Sequence, residues 1–199
     1  MFPRLLERLL VALVLVLPLL AGAAGFDLEQ LMGELSRVKS GEATFTEERH
    51  VAQLDQVLRS SGRLSFDAPD TFVRETLRPR RERLAVVGNE LTMTQGGRTR
   101  TTTLDSLPEA AVIVEAIRGT LTGNRATLDR YFTTTVNGSA AQWQLELVPR
   151  DARLRGLVAQ LQLTGERGQV REIRMEMADG DRTVTRIDPA PAKDPAARP

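Results

Sequence analysis

The 199-residue sequence contains no cysteine, one histidine and only two lysines, Lys39 and Lys193. Without cysteine there is no disulfide, no thiolate nucleophile, no cysteine-ligated metal and no lipid-modified N-terminal cysteine. Stability must then come from packing and hydrogen bonding alone. The lone histidine, His50, lies in the charged run Glu47-Glu48-Arg49-His50, the setting of a surface residue rather than of a base. No serine stands in a Gly-x-Ser-x-Gly elbow, and no second histidine could complete a triad. No glycine-rich phosphate loop is present. Asp179-Gly180-Asp181 matches a fragment of a calcium loop without the remaining ligand spacing, so a hairpin turn is expected there. Catalytic residues, metal and cofactor are all expected to be none, and the chain reads as a non-enzyme.

Charge is scarce in the sum. There are 27 basic and 26 acidic residues. Loss of Arg4, Arg8 and Glu7 with an N-terminal leader would leave 25 of each. A neutral domain has no overall electrostatic reason to grip nucleic acid or an anionic bilayer. One stretch departs from this balance, Arg78-Pro79-Arg80-Arg81-Glu82-Arg83. It reads either as a solvated connection or as a basic rim near a cavity mouth, able to meet an acidic partner or a lipid headgroup. Nothing in the sequence separates the two.

What is present begins with an export signal. Arg4 and Arg8 precede an apolar run from Leu9 to Leu20 broken only by Pro18, and Ala21-Gly22-Ala23 follows with the small residues a signal peptidase needs. The run is about 12 residues, against roughly 20 for a spanning helix. Residues 1–23 are therefore expected to be a cleaved signal peptide that delivers a soluble product to a bacterial periplasm. A single domain over 26–187 and a disordered Pro/Ala-rich tail over 188–199 are expected to follow.

The spacing of Phe26, Leu28, Leu31, Met32, Leu35 and Val38 predicts a helix over Asp27–Val38. Alternating segments then predict strands near Ala43–Val51, Leu58–Phe66, Thr71–Leu77, Leu84–Val87, Leu91–Thr94 and Arg98–Thr103. Helical spacing returns over Pro108–Leu121, with Asp105 or Ser106 as candidate cap, and a short helix is expected over Arg125–Tyr131. Hairpin strands follow across Asn137-Gly138, over Thr133–Val136 and Gln142–Val148, and then strands at Leu157–Leu163, Val170–Met177 and Thr183–Ile187. About nine to eleven strands in one sheet cannot lie flat. The expected fold is mainly β (α+β), an unclosed, strongly curved antiparallel half-barrel with helices covering its concave face.

Phe45, Leu64, Phe66, Phe72, Leu84, Val86, Leu91, Met93, Trp143, Leu145, Leu147, Leu161, Leu163, Ile173, Met175 and Met177 fall largely on alternating faces of these strands. They form either a closed core or the lining of a lipid-binding cavity. With aromatics at 4%, a wide curled sheet is short of bulk to fill itself, and aliphatic and methionine linings adapt to flexible chains.

The segment from Leu31 to Glu47, with its helix, short break and Ala-x-Phe-x-Glu strand, and Gly62-Arg63-Leu64-Ser65-Phe66-Asp67-Ala68-Pro69-Asp70-Thr71-Phe72 together resemble the periplasmic lipoprotein carrier family, LolA and its relatives. The resemblance implies an unclosed barrel that ferries acylated lipoproteins from an inner-membrane releasing complex to an outer-membrane acceptor. It implies that the two main helices are a lid, with Leu31, Leu35, Ile113 and Ile117 on its underside. The better-known carriers place an arginine just before the hairpin proline. Here that position is Ala68, so a polar latch would be absent or moved to Arg74 or Arg63. A divergent branch is implied, whose cargo is a lipoprotein or another lipid such as a glycolipid or polyene lipid. A periplasmic module that senses lipid or stray lipoproteins is the alternative on the same fold. A monomer is expected.

Overall fold

A computed structural model of the chain describes residues 25–190. The expected signal peptide, and all of the expected tail beyond Ala190, lie outside the described residues.

The first helix, α1 (Leu28–Leu35), opens on a reciprocal cap: Asp27 accepts from the Gln30 N–H at 2.9 Å, and the Gln30 side chain accepts from the Asp27 N–H at 3.2 Å. Such a box satisfies two of the amide donors that a helix start leaves free. Leu31, Met32 and Leu35 form its buried face. It ends three residues before the predicted Val38, because the Val38 N–H turns back to Leu35 O and the Ser36 hydroxyl to Gly33 O.

Six strands follow: β1 (Ser40–His50), β2 (Val57–Asp67), β3 (Thr71–Arg78), β4 (Glu82–Val87), β5 (Glu90–Gln95) and β6 (Arg98–Thr103). A 3₁₀ turn, Leu104–Ser106, leads into α2 (Pro108–Leu121) and α3 (Arg125–Tyr131). Neither candidate residue caps α2. Its N-cap is Leu107, while Asp105 accepts from the Asn89 side chain and the Ser106 hydroxyl donates to Thr103 O. Proline at the first turn removes the amide that would otherwise need a cap. The chain closes with β7 (Phe132–Ser139), β8 (Gln142–Pro149), the short α4 (Ala152–Arg155), β9 (Val158–Glu166), β10 (Gln169–Met177) and β11 (Arg182–Pro189). Asp188 and Pro189 thus belong to a strand rather than to the tail.

All eleven strands form one sheet in the order β6-β5-β4-β3-β2-β1-β11-β10-β9-β8-β7. Every pairing is antiparallel, and β6 and β7 are both edges. The sheet is therefore an unclosed half-barrel. Residues Asp179 to Asp181 make the expected hairpin turn, in which the Asp179 carboxylate accepts from the Asp181 N–H.

The β7–β8 hairpin differs from its sequence reading. Asn137 and Gly138 do not turn; they pair with Gln144 and Trp143 inside the ladder. Gly138 has φ 101°, and a Cβ there would lie 2.2 Å from Gln142 O. The glycine permits close approach of two strands, and the turn moves on to Ala140-Ala141.

The two ends of the half-barrel differ. Ser40, Asp67, Thr71, Val87, Glu90 and Thr103 align across β1–β6 at one end, where α1 joins β1 and α2 leaves β6. The β3–β4 and β5–β6 turns project from the opposite end. That second end carries no helix connection over β1–β6, whereas over β7–β9 it is where α3 enters β7 and α4 links β8 to β9.

Candidate functional site

Strand register assigns the inner face. One row reads Leu64, Arg74, Leu84, Met93, Arg100 from β2 to β6, and the next reads Phe66, Phe72, Val86, Leu91, Thr102. On the other side a row reads Thr185, Ile173, Leu163, Leu145, Val136, with Thr183, Met175, Leu161, Leu147, Thr134 beside it. Phe45 faces inward between Gly62 and Ile187, Trp143 opposes Gly165, and Met177 follows Met175 across a bulge. All the apolar residues singled out from the sequence thus share one face, as a period of two requires.

They do not share one environment. Trp143, Leu145, Leu147, Leu161 and Leu163 are sealed, none more than 2% exposed, beneath Leu31 and Leu35 of α1, Val112 and Ala116 of α2 and Leu128 of α3. Phe45, Val86 and Leu91 are also buried. By contrast Leu64, Phe66, Phe72 and Leu84 are half-buried and Met93 is 39% exposed. Met175 and Met177 are half-buried at the margin of the sealed core. The inner face is therefore closed core over β7–β10, and over β2–β5 it is a shallow, partly open surface around Leu64, Phe66, Leu84 and Met93 beside a small buried cluster of Val86, Leu91 and Leu104. Of the residues expected on the lid underside, Leu31 and Leu35 are fully buried, whereas Ile113 and Ile117 of α2 are only half-buried. Phe66 and Phe72 stack with ring centroids 5.2 Å apart, and Phe72 and Leu84, like Ala111 and Val114 of α2, pack against the buried cluster of Val86, Leu91 and Leu104.

A polar cluster interrupts the open face. Arg74 is doubly bonded to the Glu47 carboxylate at 2.8 and 2.7 Å, and its guanidinium lies 4.1 Å from the centre of the Phe45 ring. The Thr185 and Ser60 hydroxyls also donate to Glu47. Burial alone would raise the Glu47 pKa, but the hydrogen bonds and charge of Arg74, with the two hydroxyls, hold it below the ordinary glutamate value. Glu47 thus stays charged, and the pair forms a fixed polar floor rather than a movable switch.

Arg74, one of the two positions suggested for a displaced latch, bonds across the sheet and not to a helix. Arg63 is exposed on the outer face. The polar tie between lid and sheet comes from a residue the sequence reading missed: Arg118, in the last turn of α2, donates to Gly88 O at 2.6 Å and pairs with Glu115. Its position on the helical stripe beside Ala116 and Gly119 marked it only as one charge in an apolar run. Two surface depressions, of about 280 and 160 Å³, are lined by polar and charged residues, and neither lies beneath the helices. No group of acidic or histidine side chains that could hold a metal is found among the described residues.

This open-edged sheet with one face half covered by helices defines a curved, lidded β half-barrel. The sequence profile described as outer membrane lipoprotein carrier protein LolA-like matches residues 20–198, and the chain belongs to that family. No curated protein matches the sequence. Among solved structures, a LolA superfamily protein from Nitrosomonas europaea is similar at 10% identity and a TM-score of 0.46, covering 84% of this chain and 94% of that one. An outer membrane lipoprotein-sorting protein domain from Vibrio parahaemolyticus matches at 13% identity and a TM-score of 0.46, covering 85% and 92%. The MucA/MucB complex of Pseudomonas aeruginosa matches at 15% identity and a TM-score of 0.44, covering 84% of this chain and 59% of that one.

Proposed function

We propose that the open inner surface over β2–β5 receives acyl chains, and that the protein carries lipoproteins or a related lipid through the periplasm from the inner to the outer membrane. The observation that supports this reading best is the group of partly buried apolar side chains, Leu64, Phe66, Phe72 and Leu84, with the exposed Met93 beside them, on a concave face whose other half is sealed. An acyl chain gains about 0.8 kcal/mol for each methylene it buries, so an apolar shelter is what such cargo needs to cross water. The sealed residues, Trp143 and Leu145 among them, would join the lining only if the helices lift. Release then needs differential affinity between lid positions and no chemical step. Sensing of lipid by the same surface is the second reading, and delivery separates the two: only a carrier moves a labelled lipoprotein to outer-membrane vesicles.

Titration with a fluorescent fatty acid tests the surface itself. The wild-type protein should bind the probe, and Leu84→Glu should weaken binding at least about tenfold, because a carboxylate in an apolar contact loses its water. Thr92→Glu, on the outer face of the adjacent strand, should leave binding unchanged. Equal binding by both variants would remove the inner face from the mechanism.

A further inference from the structure

The near-zero net charge conceals a segregated patch. Arg78 ends β3, Arg80 and Arg81 lie in the β3–β4 turn, Arg83 follows Glu82 at the start of β4, and Arg98 and Arg100 follow the β5–β6 turn. Register brings these turns together at the end of the β1–β6 half that carries no helix connection, where Glu82 pairs with Gln95 and Gln95 with Arg98. All six arginines are exposed, and none makes an ion pair among the described residues. Exposed arginines elsewhere are of both kinds: Arg49, Arg59, Arg174 and Arg186 each meet a carboxylate, whereas Arg63, Arg130 and Arg182 make no ion pair among the described residues, so the rim is set apart by its density on two adjacent turns. A recess of about 160 Å³ lies between the two turns, lined by Glu75, Arg81, Glu82, Arg83, Gly96 and Gly97 among others, so its own charge is balanced and the excess of cations comes from Arg78, Arg80, Arg98 and Arg100 around it. Arg100 faces inward opposite Met93, the most exposed of the inner apolar residues singled out above.

We propose that this arginine rim docks the β3–β6 end of the half-barrel on an anionic phospholipid surface. Six unpaired cations gathered at one end create a local positive field whatever the net charge. Guanidinium groups suit phosphate oxygens through paired N–H donors. The patch also borders the open apolar surface, so docking would set that surface against the bilayer from which acyl chains leave or which they enter. The choice of a bilayer over a soluble polyanion rests on the carrier reading; the rim itself does not.

Sedimentation with vesicles tests it. The full mature chain should sediment with vesicles of phosphatidylcholine and phosphatidylglycerol and not with phosphatidylcholine alone, and high salt should release it. Each arginine near such a surface contributes about fivefold to partitioning, so the combined variant Arg80→Ala, Arg81→Ala, Arg83→Ala should bind about a hundredfold more weakly. Arg63→Ala, away from the rim, should bind as the wild type does. Equal sedimentation with both vesicle types, or full retention by the combined variant, would overturn the proposal. So would capture of polyglutamate without any capture of anionic vesicles, which would transfer the rim to an acidic protein partner. Fatty-acid binding measured without vesicles keeps the two readings apart. If the wild type sediments with anionic vesicles but binds no fatty acid, the carrier reading fails and the rim stands; the reverse result sinks the rim alone.

Discussion

Trp143→Ala should lower the unfolding free energy by about 3–5 kcal/mol. Trp143 is the largest fully buried side chain, 1% exposed at the centre of the sealed half of the inner face. Its indole N–H donates to Arg167 O at 2.8 Å, and Arg167 holds the β9–β10 turn with φ 52°. The ring packs against Gly165, where a Cβ would lie 2.3 Å from the indole Cζ2. Truncation therefore opens a large void under α1 and strips a partner from the turn carbonyl. Trp143→Phe should fall between wild type and alanine, since it keeps a ring but loses the N–H. Trp143 is the sole tryptophan, so urea unfolding must be followed by far-ultraviolet circular dichroism. A loss below about 1 kcal/mol for the alanine variant would mean that the helices do not seal this half.

Gly62→Ala should cost at least about 3 kcal/mol, at or beyond the upper end of ordinary overpacking. Gly62 lies on the inner face of β2, paired with Phe45 on β1 and Thr76 on β3, beside a register shift at Ser61. An added Cβ would stand 1.9 Å from Glu75 O and 2.9 Å from Phe45 Cε1. The carbonyl is backbone within the β2–β3 ladder, so it cannot yield without loosening the strands that carry the open surface. Gly41→Ala is the control: nothing lies within 4 Å of its added methyl, and its unfolding free energy from urea titration should match wild type within about 0.5 kcal/mol. Matching midpoints for both variants would show that the sheet relaxes freely at Gly62.

The distinction between these two halves was not legible in the sequence, although the face itself was. Alternation placed Leu84, Met93, Leu145 and Leu161 on one surface because the side-chain period of a strand leaves no other choice. Both long helices were visible in their apolar spacing, and α2 begins at Pro108 and ends at Leu121 as that spacing predicts. Which strands those helices cover is a matter of tertiary packing, carried by pairs such as Leu31 and Leu145 far apart in the chain. The same limit explains Arg118, whose partner Gly88 lies thirty residues away. It also explains Asn137-Gly138, where a strong local turn signal yields to strand pairing. The arginine run was evident as composition. Its meeting with Arg98 and Arg100 required the register of β4, β5 and β6.

The absence of cysteine allows the most direct test of whether lipid occupies the open inner surface. Met93→Cys and Thr92→Cys, carried in separate proteins, would place one environment-sensitive fluorophore on the inner face of β5 and one on the outer face. Addition of a diacylated lipopeptide should shift the emission at position 93 to the blue and leave position 92 unmoved. An equal response at both positions, or a shift at 92 alone, would contradict the account.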